Sequence, residues 1–390
     1  MMTSETYAKY GLPETYKALL FTSNTSPPSI TALPTPLPTA GTAIIKPLLS
    51  FVPHYIRDIF TNGNPRGYRY VLPMVPGSST IARIVNVASD APTLKPDQLV
   101  WIDPVVRARD RSGQILHGLH GGQTDQSWAL MENEWRNGSW GELAKVPAEN
   151  VHMLDESLLL RSKEDGGMGY KLEDLSYLSS LMVAYGGLRD VDLAPGETIL
   201  IAPSTGPFGG SAVHVALSMG ARVIAMGRND AVLTGLKALD PGRITVVKMS
   251  GDVETDKTNI ITAAHGKPVD VYFDMSPPTA SQSAHIKAGI LALRPKGRMS
   301  LMGGAAGDVG FPYYQIMAKG LRLQGTFMYT SDQAVGLIKL LESGVLRIGE
   351  ERDIMCEGIF GLHEWSEAFE AAWKKGNRIG RFVLMAPNKA

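Results

Sequence analysis

The sequence has one cysteine, Cys356, in 390 residues. That excludes an internal disulfide framework and any cysteine-rich zinc site. Net charge is missing as well, since 38 Lys and Arg stand against 38 Asp and Glu. Without a basic field, neither nucleic acid nor an anionic membrane surface is expected as a partner. No apolar run approaches the roughly 18 residues of a membrane span. Residues 1–20 are polar and mixed, lacking the basic start and apolar centre of a secretory signal, so a cytoplasmic protein is expected. Internal repeats and low-complexity tracts are absent. What remains is an ordinary globular composition, 44% hydrophobic, in a chain long enough for two cores.

One stretch organises the rest. Thr198 to Ala202 is an apolar run of the length of a strand buried on both faces. A turn of small residues follows, Ser204-Thr205-Gly206-Pro207-Phe208-Gly209-Gly210. Val213, Ala216 and Leu217 then recur at helical spacing until Gly220, and a second apolar run spans Arg222 to Met226. Strand, glycine turn, helix and strand form the opening unit of a dinucleotide-binding fold. A pyrophosphate rests at such a helix N-terminus because unpaired N–H groups and the helix dipole favour an anion there. Glycines let the backbone approach it. The first of the three usual glycines is Ser204 here, so the turn reads Ser204-x-Gly206-x-x-Gly209. A purely structural turn would also use glycine, but the flanking strands favour a nucleotide.

The nucleotide can be argued too. An acidic residue about 20 positions past the turn usually binds the ribose 2′-OH of NAD. Gly227, Arg228 and Asn229 occupy that place. No carboxylate repels a 2′-phosphate and Arg228 can pair with one, so NADPH is expected over NADH. The alternative for Arg228 is a solvated side chain after a strand.

Residues 17–160 read as β-rich, with strands at Lys17–Phe21 and Ala43–Leu48. Residues 166–345 alternate. Ile244–Val247, Val269–Asp274, Arg298–Met302 and Arg322–Thr326 read as strands, with helices near Asp256–Ala264, Ala280–Leu293 and Ser331–Ser343. That pattern is α/β, with a doubly wound parallel sheet. Ligands in such sheets lie beyond the strand C-termini, which puts Met275, Ser276, Gly303 and Phe327 near the cofactor. Residues 107–136 are irregular and glycine-rich, with Trp128 and Trp135. They read as a long loop on the substrate side or at an interface, a passive insertion being the other reading. An amphipathic helix (Trp365, Ala368, Phe369, Ala372) and a strand, Phe382–Met385, close the chain.

Several phrases occur in one order: Leu72-Pro-x-x-Pro-Gly77, Gly138-Ser-Trp-Gly-Glu-Leu-Ala-Lys-Val-Pro147, Glu149-Asn-Val151, the glycine turn, Leu293-Arg-Pro-Lys-Gly-Arg298 and Gly380-Arg-Phe-Val-Leu384. In these the chain resembles the medium-chain dehydrogenase/reductase superfamily, in its quinone-oxidoreductase-like or alcohol-dehydrogenase-like branch, over nearly its whole length. The resemblance implies a Rossmann domain, residues 166–345, inserted in a GroES-like β-barrel catalytic domain, residues 1–165 and 346–390. The active site would be the cleft between them. The family arginine that reaches the cofactor pyrophosphate falls on Arg381. A homodimer is implied as well, through edge strands of the Rossmann sheet at about Arg298–Met302 and the segment after Gly303.

Departures from the family carry further expectations. Zinc-dependent members place His-Glu after the Pro-Gly of the first phrase, where this chain has Ser78-Ser79. Their catalytic cysteine would fall within Ser50–Asp58, which has none, and the four-cysteine zinc loop is missing. A zinc-independent enzyme is expected; His117-x-x-His120 has no obvious third ligand. Hydroxyls, N–H groups or the nicotinamide ribose would then meet the charge developing on a substrate oxygen. That favours reduction of a C=C conjugated to a carbonyl in a small molecule, as an enone or quinone. His54 is a candidate proton donor near neutral pH, and Tyr55 a candidate hydrogen-bond donor to the carbonyl. Metal-free carbonyl or alcohol redox, and a redox-silent protein retaining the fold, stay open.

Overall fold

A computed structural model of the chain describes residues 4–389, so Met1 to Thr3 of the polar opening stretch and Ala390 lie outside it. One sheet has six parallel strands: β1 (Thr198–Ala202), β2 (Arg222–Gly227), β3 (Ile244–Lys248), β4 (Val269–Asp274), β5 (Leu293–Leu301) and β6 (Arg322–Gly325). Their order is β3-β2-β1-β4-β5-β6. Strand β1 is apolar after Thr198 because both of its faces are covered. Ile199 and Ile201 pack with Val213 and Ala216 of one helix layer, while Leu200 and Ala202 pack with Ile260, Ile286 and Ile290 of the other. Each fully buried isoleucine or leucine contributes about 1.5–3 kcal/mol relative to an exposed one. The order reverses between β1 and β4, which opens a crevice beyond their C-termini.

The expected dimer edge is corrected here. Residues Arg298–Leu301 belong to β5, which pairs with β4 on one side and β6 on the other, so β6 is the outer strand. Pairing at β5 jumps from Leu293 to Arg298 opposite Val269 and Val271, because Pro295 and Gly297 interrupt the ladder. Beside the outer strand stand the exposed side chains of Phe311, Tyr313, Tyr314, Met317 and Phe327.

The second sheet has seven strands. Thr42–Val52 is its long member, paired with Thr80–Val87, Ala144–Pro147 and the returning Arg381–Met385. After a separate pair of strands, Thr15–Leu20 and Ser29–Pro34, the chain enters this sheet, leaves it for the parallel one and comes back. This is the Rossmann-in-GroES-like arrangement that the resemblance implied. The 107–136 stretch is more ordered than expected. Val105–Arg107 pairs with Gln114–Leu116, and Thr124 caps a helix, Asp125–Asn133, by accepting from Ser127 N.

Contacts join the two sheets. Tyr177, just before helix α1 (Leu178–Asp190), packs its ring 5.4 Å from Phe382. Tyr329, just past β6, donates its hydroxyl to Asp103 at 2.9 Å, and Arg107 donates to the Tyr329 carbonyl. No helix among the described residues is long and apolar enough to cross a membrane.

Candidate active site

The glycine turn forms the cofactor side. Helix α2 (Pro207–Ser218) has Gly206 at its N-cap and Pro207 at its first position, where a missing N–H costs nothing. The glycines do different work. A Cβ on Gly209 would stand 2.2 Å from the Pro203 carbonyl, so this position needs glycine for the turn to close. A Cβ on Gly206 would meet nothing within 4 Å, leaving open space over the helix N-terminus. A pyrophosphate fits that cradle, since the first N–H groups of a helix lack intrahelical partners. Ser204, the missing glycine, is buried, and its hydroxyl donates to the Met226 carbonyl at 3.1 Å. It ties the turn to β2.

At the end of β2, Gly227 leaves room for Thr205, whose Cγ2 would lie 2.3 Å from a Cβ there. Arg228 is exposed and makes no ion pair among the described residues. Asn229 instead caps helix α3 (Asp230–Leu239), accepting from Val232 N at 3.2 Å. A carboxylate does stand one residue further on. Asp230 is held by Lys248 of β3 at 2.5 Å.

Facing this turn is the segment after Thr42–Val52. The His54 ring lies 6.1 Å from Phe208 of α2 and 4.9 Å, edge-on, from Tyr55. Tyr55 carries the Arg66 guanidinium 4.2 Å over its ring, and Tyr68 behind it packs 4.6 Å from His120. So the structure brings His54, Tyr55 and the cofactor turn together, and the 107–136 stretch reaches this wall through His120. Burial, with Arg66 nearby, pushes the His54 imidazole down to about 4. It is neutral at pH 7, which corrects its expected role as a charged proton donor. Burial and the Tyr68 hydroxyl push the Tyr55 phenol well above its ordinary range, so it stays protonated.

The other expected site residues divide. Met275 follows β4, where its N–H donates to the Ala202 carbonyl at 3.1 Å, and Phe327 is exposed past β6. Ser276 is buried, donating to Asp274 at 2.6 Å and meeting His285 Nε2 at 3.0 Å. Gly303 packs on that network, since a Cβ there would lie 2.5 Å from Asp274 Oδ2. Arg381 is held by two carboxylates. Its guanidinium donates to Asp353 Oδ1 at 2.5 Å and lies 3.3 Å from Glu357.

The residues do not fit a zinc ion. Ser78 and Ser79 are buried where metal-dependent members carry ligands, and no group of three or more His, Cys, Asp or Glu converges among the described residues. His117 packs against Trp135, and its Nε2 is buried without a partner. His120 Nδ1 accepts from Gly122 N at 2.8 Å. What does stand at Ser79 is a second hydroxyl, Ser179 of α1, at 2.5 Å. Sequence reading did not single out Ser179, because nothing local marks it. A cavity of about 520 Å³ between Thr39, Arg109 and Trp135 lies on the β-sheet domain, and no expected site residue lines it.

Comparison with known proteins supports the fold. The model of the zinc-binding dehydrogenase family matches residues 207–343. D-xylulose reductase A of Aspergillus oryzae is 23% identical over 312 residues, 80% of each chain. These matches support the medium-chain dehydrogenase/reductase superfamily. The fold recurs widely among solved structures at low identity. A short chain alcohol dehydrogenase of E. coli CFT073, solved with NADH, has a TM-score of 0.72 at 18% identity, covering 96% of this chain and 100% of that one. A crotonyl-CoA carboxylase/reductase has a TM-score of 0.73 at 13% identity, covering 96% of this chain and 89% of its own.

Proposed function

We propose that this medium-chain oxidoreductase works without a metal, takes NADPH, and reduces a C=C conjugated to a carbonyl in a small molecule. The observation that carries this reading is Ser78-Ser79 at the metal-binding positions, with no other ligand cluster among the described residues. Without a Lewis acid, charge developing on the substrate oxygen is met by hydrogen-bond donors, and an enolate delocalises part of that charge itself. Bound NADPH supplies hydride to the β-carbon. Gly206 and the first N–H groups of α2 hold the pyrophosphate, and Arg228 holds the 2′-phosphate. Met275 and Phe327 border the nicotinamide end. Tyr55, protonated at all working pH, donates to the carbonyl and, with water, returns the proton to the enolate. Neutral His54 orients Tyr55 by its edge-on contact.

In this reading residues 1–165 and 346–390 form the catalytic domain and 166–345 the cofactor domain. A homodimer would form across β6, beside the exposed Tyr313 and Tyr314. Direct carbonyl reduction is the second reading, supported by the D-xylulose reductase relatives. The test is NADPH oxidation by metal-stripped protein, on enones paired with their saturated ketones. Faster enone reduction supports the first reading and faster ketone reduction the second. Activity that appears only on adding zinc would remove both, and tight NADPH binding without turnover would point to a redox-silent member.

A further inference from the structure

The geometry points to the Ser79–Ser179 pair as a second donor to the substrate oxygen beside Tyr55, in place of a metal, with Ser179 donating the hydrogen bond. This rests on the reductase reading for its chemistry. Residues 74–82 are all buried, and of residues 174–182 only Ser179 is partly accessible. Ser179 is thus the accessible member of the pair, and both serines are tied to the site. The Ser79 carbonyl accepts from Phe51 N at 3.0 Å, three residues before His54. Tyr177, two residues before Ser179, meets Ser211 of the cofactor helix at 2.9 Å.

Two hydroxyls carry two protons, and their mutual 2.5 Å contact uses one. Neither oxygen bonds any other group among the described residues. Either hydroxyl can donate in that contact; with the buried Ser79 as donor, the second proton, on the partly accessible Ser179, is left for a ligand. A hydroxyl that is itself accepting a hydrogen bond is the better donor. Two further buried hydroxyls, Ser139 and Ser176, lack partners, and Ser139 Oγ would lie 2.7 Å from a Cβ on Gly77. Ser179 is the catalytic residue in this scheme and Ser79 the positioning residue.

The test compares Ser179→Ala and Ser179→Thr with wild type by enone reduction and by infrared spectroscopy of carbonyl-labelled cyclohexanone added to the NADP⁺ complex. Ser179→Ala should lower kcat/KM about 100-fold, the loss typical of one oxyanion donor, while NADPH affinity holds. It should also abolish the red shift of the bound carbonyl band, and Thr should restore both. Equal rates in wild type and Ser179→Ala, a loss that Thr does not restore, or a band unchanged between them, including none in either, would overturn the inference. A red-shifted band that Ser179→Ala loses, in a protein that reduces nothing, would keep the inference and sink the reductase reading. If Ser179→Ala does not fold, Ser179→Cys keeps the volume with a weak donor and is held to the same outcomes.

Discussion

Replacing Arg228 by alanine should weaken NADPH binding selectively. The guanidinium follows β2 directly, is exposed, and makes no ion pair among the described residues, so its loss breaks nothing in the free protein. A charge-assisted hydrogen bond to a 2′-phosphate contributes about 1.5–3 kcal/mol, the lower end applying where solvent screens it. At 1.4 kcal/mol per decade, that is roughly a 10- to 100-fold rise in the NADPH Kd. NADH, which has no 2′-phosphate, should bind the variant as it binds wild type. The assay is fluorescence titration of both cofactors, repeated at raised salt, where the wild-type preference for NADPH should shrink. Lys248→Ala supplies a second arm, because it frees the Asp230 carboxylate now held at 2.5 Å and so places a negative charge beside the same phosphate. A smaller loss, again confined to NADPH, is expected. Equal losses for both cofactors in Arg228→Ala would mean that the residue acts through the fold. No loss for either would remove the NADPH assignment.

The glycine turn should separate fold from ligand: Gly206→Ala, facing open space, should keep the thermal midpoint within about 4 °C but raise the NADPH Kd at least tenfold, as titration will show. Gly209→Ala, whose Cβ would stand 2.2 Å from a backbone carbonyl, should instead lower the midpoint sharply. Arg381→Ala should destabilise the protein by about 1–3 kcal/mol in denaturant unfolding, since Asp353 and Glu357 lose their partner, and leave NADPH affinity nearly unchanged. A large loss of affinity with stability intact would restore the pyrophosphate role. Burial raises Asp103 to about 6, above its ordinary 3.8. The folded state therefore binds that proton more tightly than the unfolded chain, and this stabilisation, present in full below pH 4, is lost as pH rises through 6. Asp103→Asn should gain stability relative to wild type between pH 5 and pH 8, by up to about 2 kcal/mol in urea unfolding; a constant difference would refute the shift.

What could be read ahead of the structure was what one contiguous unit encodes. The β1–turn–α2–β2 stretch carries its own periodicities and punctuation, so the sheet, the helix N-terminus and the position of Arg228 were all legible. Residues whose partners are distant in sequence were not. Arg381 was assigned to the cofactor because of its phrase, Gly380-Arg-Phe-Val-Leu384, yet its direction is set by Asp353 and Glu357, which no phrase announces. Ser179 lies 100 positions from Ser79, and Tyr329 lies 226 from Asp103; both contacts exist only because the chain returns across the cleft. His54 shows the limit within a single residue. Its type suggested a titrating imidazole, but its charge depends on how completely the surrounding chain excludes water. Burial and the nearby Arg66 hold it neutral, so the candidate acid becomes part of the wall. A change that opens that wall, such as Phe208→Ala, should raise the His54 imidazole toward its ordinary value. The same opening would loosen the packing between the two domains from which the cleft is made.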